Sequence, residues 1–218
     1  YELARIRDEY NGQVPLYSKL PLGWPSQDVI RTLAQMAVPL FIFAATVCRF
    51  IEDKAWSNPG GQLKKILEYQ AKTFDSELDK LDATYLPILD QLTVGHTDLQ
   101  RSRILAEFRD VVGPIVLLAQ PLPMLSLARL LDIPPTTIHG KLNSLHSVLD
   151  IPSADNAPVR LFHLSFRDFL VDPVKRTKNE FWIDEAEYHK TLTERCIQLM
   201  SQCLKQDICC LKAPGMLL

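Results

Sequence analysis

The stretch SLARLLDIPPTTIHGKLNSLHSVLDIPSADNAPVRLFHLSFRDFL, residues 126–170, decides the fold. SLARLLDI reads as a short helix with Ser126 near its start, and Pro134–Pro135 makes a tight turn. TTIHGKLNSLHSVL (136–149) reads as a second helix with Ile138, Leu142, Leu145 and Leu149 on one face. Two short helices joined by a tight turn suggest a helix-turn-helix. DIPSADNAPVRLFHL then has the composition of two short strands around a polar loop, Ser153 to Pro158. Ahead of the pair lies LQRSRILAEFRDVVGPIVLLA (99–119), a long helical pattern that Gly113 and Pro114 interrupt, followed by the proline-rich turn QPLPM. Three helices followed by a small hairpin make a winged helix.

Working outward, YELARIRDEY carries Leu3, Ile6 and Tyr10 at helical spacing, and NGQVPLYSKLPLGWP (11–25) breaks it with glycine and three prolines. Ser26 can cap a helix through QDVIRTLAQMA. AVPLFIFAATVC (37–48) reads as a buried helix with Pro39 in its first turn. Its dozen or so residues fall short of the roughly 20 needed to span a bilayer. SNPGGQLKKILEYQ opens with cap residues and Pro59 before Leu63, Ile66 and Leu67, and LDATYLPILDQL adds a short helix. Beyond the hairpin, the aromatic pair Phe181–Trp182 leads into an amphipathic helix through Leu192, Cys196, Leu199 and Cys203, whose apolar face needs a partner. The expected fold is mainly α: a helical domain (26–98), a winged-helix domain with a β-hairpin wing (99–175) and a further helix in a second helical or linker region (176–218). A first boundary falls near residues 11–25.

With 218 residues and 47% hydrophobic content, the chain can bury a sizeable core. Its 24 basic and 26 acidic residues leave a formal net charge of -2, which offers no global field for nucleic acid or an anionic membrane. Five cysteines, at 48, 196, 203, 209 and 210, lack the paired spacing of a zinc site and read as reduced cytosolic thiols acting as small apolar fillers. The chain starts at Tyr1 without methionine or a visible targeting segment, and reads as a piece of a larger protein.

A winged helix raises the question of DNA. The candidate recognition helix has one lysine, Lys141, two histidines and no arginine, and the wing loop holds an aspartate before Arg160, so phosphate neutralisation finds little to work with. No glycine-rich phosphate loop is present; GGQLKK has its lysines at the wrong spacing and inside a helix. Ser, His and Asp co-occur in HLSFRD, too close in one element for a nucleophilic triad. The carboxylates of LEYQAKTFDSELDKLDATY read as a solvated helix face. No catalytic residue or metal site is expected.

Five segments carry a resemblance: AVPLFIFAATVCRFIED, LDATYLPILDQL, SLARLLDIPPTTIHGKLNSLHSVL, VRLFHLSFRDFLVDP and the closing KAPG. In this order and spacing they resemble fungal NACHT-type proteins, the NOD-like STAND NTPases of the heterokaryon-incompatibility kind. The resemblance implies a cytoplasmic signalling protein. In it residues 1–25 end an upstream NACHT nucleotide-binding domain, which holds the Walker motifs, and its linker; a downstream repeat domain follows, with homo-oligomerisation on activation. It implies ADP/ATP (or GTP) bound only together with the upstream domain, none by the isolated chain, and no nucleic-acid or membrane partner. It also implies two cofactor-binding residues. By motif, His163 contacts the β-phosphate of ADP; the residues alone leave open a ring that satisfies a backbone carbonyl between strand and helix. Pro39, in AVPLF, partly matches a Gly-Leu-Pro-Leu motif whose proline packs on adenine and ribose; Ala37 and Val38 replace the Gly-Leu pair, and a proline that only starts a buried helix stays open.

Overall fold

The computed structural model describes residues 1–38, 41–53, 57–73, 80–154, 156–205 and 208. The described residues are mainly helical, with ten α-helices and one two-stranded sheet. Pro39 and the KAPG segment lie outside the described residues, as do Cys209 and Cys210.

The N-terminal half is built around α3 (Phe41–Glu52), which packs against α1 (Glu2–Gln13), α2 (Gln27–Ala37), α4 (Pro59–Thr73) and α5 (Lys80–Leu89). Its apolar run buries Phe43, Val47, Phe50 and Ile51, as expected of a helix with one heavy face. The helix starts follow the cap chemistry. Ser26 Oγ accepts from Val29 N–H at 3.4 Å, and Asn58 Oδ1 accepts from Gly61 N–H at 2.9 Å. A Cβ at Gly61 would lie 2.5 Å from the Asn58 amide, so this cap needs glycine there. The expected break after Tyr10 comes later: α1 runs through Gly12 to Gln13, because Asn11 turns its side chain onto Leu20 and pins the following loop instead of ending the helix.

The C-terminal half is built around α6 (Asp98–Leu117), opened by a capping box in which Thr97 and Gln100 satisfy each other's backbone N–H groups. Gly113 and Pro114 do not interrupt α6, contrary to the sequence expectation. Residues Val111 to Leu117 are all buried, and packing on that scale outweighs the roughly 3 kcal/mol or more that an interior proline costs. Gly113 has its own reason: a Cβ there would come within 2.9 Å of the Tyr188 ring on α10 (Glu185–Cys203). On α10, Leu192 is buried and Cys196 and Leu199 pack on the core, while Cys203, expected on the same face, is exposed with Ile197 and Met200.

α7 (Met124–Leu131) ends at Asp132 in the left-handed region (φ 56°), with Ile133 N–H donating to Ala128 C=O at 3.1 Å; α8 (Pro135–Leu142) starts with proline at its first position. The second helix is shorter than expected. After Leu142 it tightens into a 3₁₀ turn, Asn143–Leu145, and Leu149 belongs to β1 (Leu149–Asp150) rather than to a helix. β1 pairs antiparallel with β2 (Arg160–Leu161) in the register Leu149↔Leu161 and Asp150↔Arg160. Pro158 bridges back to Pro123, just before α7, and Val159 N–H donates to Leu122 C=O at 3.0 Å. β2 leads directly into α9 (Leu164–Val171), which packs on α5 in the other half. One continuous hydrophobic cluster therefore runs through both halves.

Candidate functional site

The site is where β2 ends, α9 begins and α5 supports it from beneath. His163 is the N-cap of α9, in extended backbone (φ −153°, ψ 144°), and its ring is exposed. Ser165 N–H donates to His163 Nδ1 at 3.1 Å, and Ser165 Oγ lies 2.7 Å from the same nitrogen. Ser165 is buried, and its Oγ is 2.8 Å from the phenol of Tyr85 on α5. The residue-level alternative for His163 is thereby corrected: the ring meets a backbone N–H, not a carbonyl, because it sits where the first turn of α9 has donors to satisfy.

The proton positions follow. A backbone N–H only donates, so Nδ1 is the acceptor and the neutral ring carries its hydrogen on Nε2. Ser165 Oγ can then approach Nδ1 only as a donor, which leaves its lone pairs to accept from Tyr85 O–H. Burial, together with the Asp168 carboxylate, pushes the Tyr85 phenol above its ordinary range against the pull of the Ser165 bond, so the phenol keeps its proton to give. The chain of donors is Tyr85 to Ser165 to His163 Nδ1, and among the described residues none pairs with Nε2–H of the exposed ring.

Packing holds this arrangement in place. Tyr85 is 1% exposed and lies between Phe166 and Phe169, with ring centroids 5.0 and 5.3 Å away. A little further along, Lys175 is buried, pairs with Asp82 at the start of α5 and stands over the Phe169 ring. Arg49, on α3, lays its guanidinium over the ring of Phe162, the residue before His163, 3.3 Å from the centroid. Cation, aromatic and hydrogen-bonded groups from α3, α5 and α9 thus converge on Phe162 and His163, the two residues that join β2 to α9. Sequence reading singled out His163 and passed over Tyr85; the available signal was a tyrosine on the apolar side of LDATYLPIL, since a buried phenol needs a partner.

The face of α8 has a different character. Ile138, Leu142 and Leu145 are fully buried, as expected, while Thr136, Thr137, His139, Gly140, Asn143 and His146 face solvent. Lys141 is engaged by Glu107 of α6, whose carboxyl is lowered by Lys141 and then by Arg103. No arginine stands on this exposed face. Among the described residues no group of three or more His, Cys, Asp or Glu could hold a metal ion, and no helix is long and apolar enough to cross a membrane.

No family model, curated protein or solved structure matches this chain.

Proposed function

We propose that this chain is the regulatory portion of a NACHT-type STAND NTPase, in which α6, α7, α8 and the β1–β2 hairpin form a winged helix. That module couples the ADP or ATP state of an upstream nucleotide-binding domain to conformational switching. The observation that carries the reading is His163: an exposed imidazole at a helix N-terminus, with Nδ1 committed inward and an Nε2–H donor outward. A phosphate oxygen accepts from such a donor, and the positive end of the α9 dipole favours the same anion. ADP brings the diphosphate; the chain contributes the donor, its orientation and the supporting core. Pro39 is proposed to pack on the base and ribose. Partners are the upstream NACHT domain and a downstream repeat domain of the same cytoplasmic protein, with self-assembly on activation. The chain alone releases no phosphate from ATP or GTP.

A second reading is a passive helical scaffold in which His163 only caps α9, and the Nδ1 bond from Ser165 favours it. The two separate at His163→Asn, because asparagine is a good N-cap but lacks the outward ring N–H. In the protein carrying its upstream domain, loss of one charge-assisted hydrogen bond, about 1.5–3 kcal/mol, speeds ADP release by about tenfold or more. ADP off-rates equal in wild type and His163→Asn would return the residue to the scaffold reading. An upstream sequence without a Walker A loop would overturn the NTPase assignment as a whole.

A further inference from the structure

We infer that Tyr85 and Ser165 are positioning residues for His163: they lock its neutral ring with Nδ1 as acceptor, so that Nε2–H is the donor presented outward. This deepens the proposed function and rests on it only for the identity of the anion. The geometry of the relay stands independently, in the 2.8 Å Tyr85–Ser165 contact, the 2.7 Å Ser165–His163 contact and the 3.1 Å bond from Ser165 N–H. A histidine on an exposed helix end ordinarily rotates and exchanges tautomers. Here Nδ1 meets two donors from one residue, and that residue's hydroxyl is oriented by a phenol held between two aromatic rings.

The arrangement also crosses between the two halves of the chain. Tyr85 belongs to α5, whereas Ser165 and His163 belong to α9 and its cap. A shift of α9 away from α5 breaks the Tyr85–Ser165 bond first, freeing the Ser165 hydroxyl to turn and the ring to reorient. The Ser165 hydroxyl, and with it the second contact on Nδ1, is therefore held in place only while α9 is seated on α5. This gives His163 a conformational dependence that a capping residue alone would not have, since the cap from Ser165 N–H lies wholly within α9 and travels with it.

The test uses the 218-residue chain with 15N-labelled histidine and long-range 1H–15N correlation of the ring nitrogens; His163→Asn assigns the His163 signals by their disappearance. The wild-type ring should show one tautomer, protonated at Nε2, with Nδ1 displaced toward the position of a hydrogen-bonded acceptor. Ser165→Ala should move Nδ1 back toward an unbonded acceptor and produce tautomer averaging, and Tyr85→Phe should do the same to a smaller extent while helical content stays at the wild-type level. A wild-type ring protonated at Nδ1, or His163 signals that neither variant changes, would overturn the inference. In the protein with its upstream domain, Tyr85→Phe should then speed ADP release by about 2- to 10-fold, the range of one neutral hydrogen bond. If the ring signals respond as stated but neither His163→Asn nor Tyr85→Phe changes ADP release, the positioning stands and the nucleotide assignment fails.

Discussion

α8 and α9 flank the same hairpin, and each has eight residues, yet they begin and pack in different ways. α8 starts on Pro134–Pro135 with no side chain on its free N–H groups, buries Ile138 and Leu142 and turns Thr136, Thr137 and His139 outward. α9 starts on an imidazole, buries a serine among aromatic rings and leaves the ring at its end exposed. In the first helix all specific interaction is internal. In the second, a polar group is drawn into the core and its effect is transmitted to a group at the surface. Two helices of equal length that flank one hairpin thus differ in what their first turns hold.

Truncations in the two cores test this contrast at its largest scale. Phe169→Ala, in α9, should lower stability by about 3–5 kcal/mol and Leu142→Ala, in α8, by about 2–5 kcal/mol, both read by urea unfolding. Only Phe169→Ala should also disturb the His163 ring signals, because Phe169 flanks Tyr85. Removing one member of the buried Lys175–Asp82 pair should come next. Lys175→Ala leaves a carboxylate without its cation at the α5–α9 contact and should cost about 3 kcal/mol; joint replacement of both by apolar residues should recover most of it.

His163→Ala should cost about 1 kcal/mol as a lost N-cap, and His163→Asn should restore it. A full loss in both variants would show that the ring packs rather than caps. At neutral pH Tyr85→Phe should also cost about 1 kcal/mol. The alkaline limb carries the sign. Burial raises the folded phenol above the ordinary value of 10.0, so stability is complete below that value and is lost as pH climbs through it toward the folded one. Tyr188, pushed up to about 12 by burial and the Asp110 carboxylate, adds to the same limb. Tyr85→Phe should flatten the alkaline fall in midpoint denaturant concentration; an unchanged slope would place the phenol in water. The smallest effect belongs to α8: Lys141→Ala should cost about 0.2–1 kcal/mol. That loss should fade below the ordinary Glu107 value of 4.5, because a lowered carboxyl stabilises above it and loses that contribution on acidification.

The elements that were legible in the sequence are those whose signal is local. Ser26 and Asn58 cap the helices they precede, Ile138 and Leu142 face the core, the hairpin closes around the Ser153–Pro158 loop, and His163 stands between strand and helix. The misreadings are equally specific. Gly113 and Pro114 signal a break to any local rule, but the burial of Val111 to Leu117 and the seat for Tyr188 override them. Leu149 continues the helical period of its segment, yet it becomes a strand residue because pairing with Leu161 is available.

By itself, then, the sequence determined periodicity, caps and turns, and therefore a mainly helical chain with a histidine at a strand-to-helix junction. These properties depend on residues three or four apart, whose side chains meet whatever the rest of the molecule does. Only the tertiary structure decided what orients the serine hydroxyl against that histidine. Tyr85 and Ser165 are separated by 80 positions in the chain, and no local pattern relates them. They meet because Phe166 and Phe169 of α9 must bury their rings against α5, and the hydroxyl–phenol contact forms within the apolar packing that burial creates.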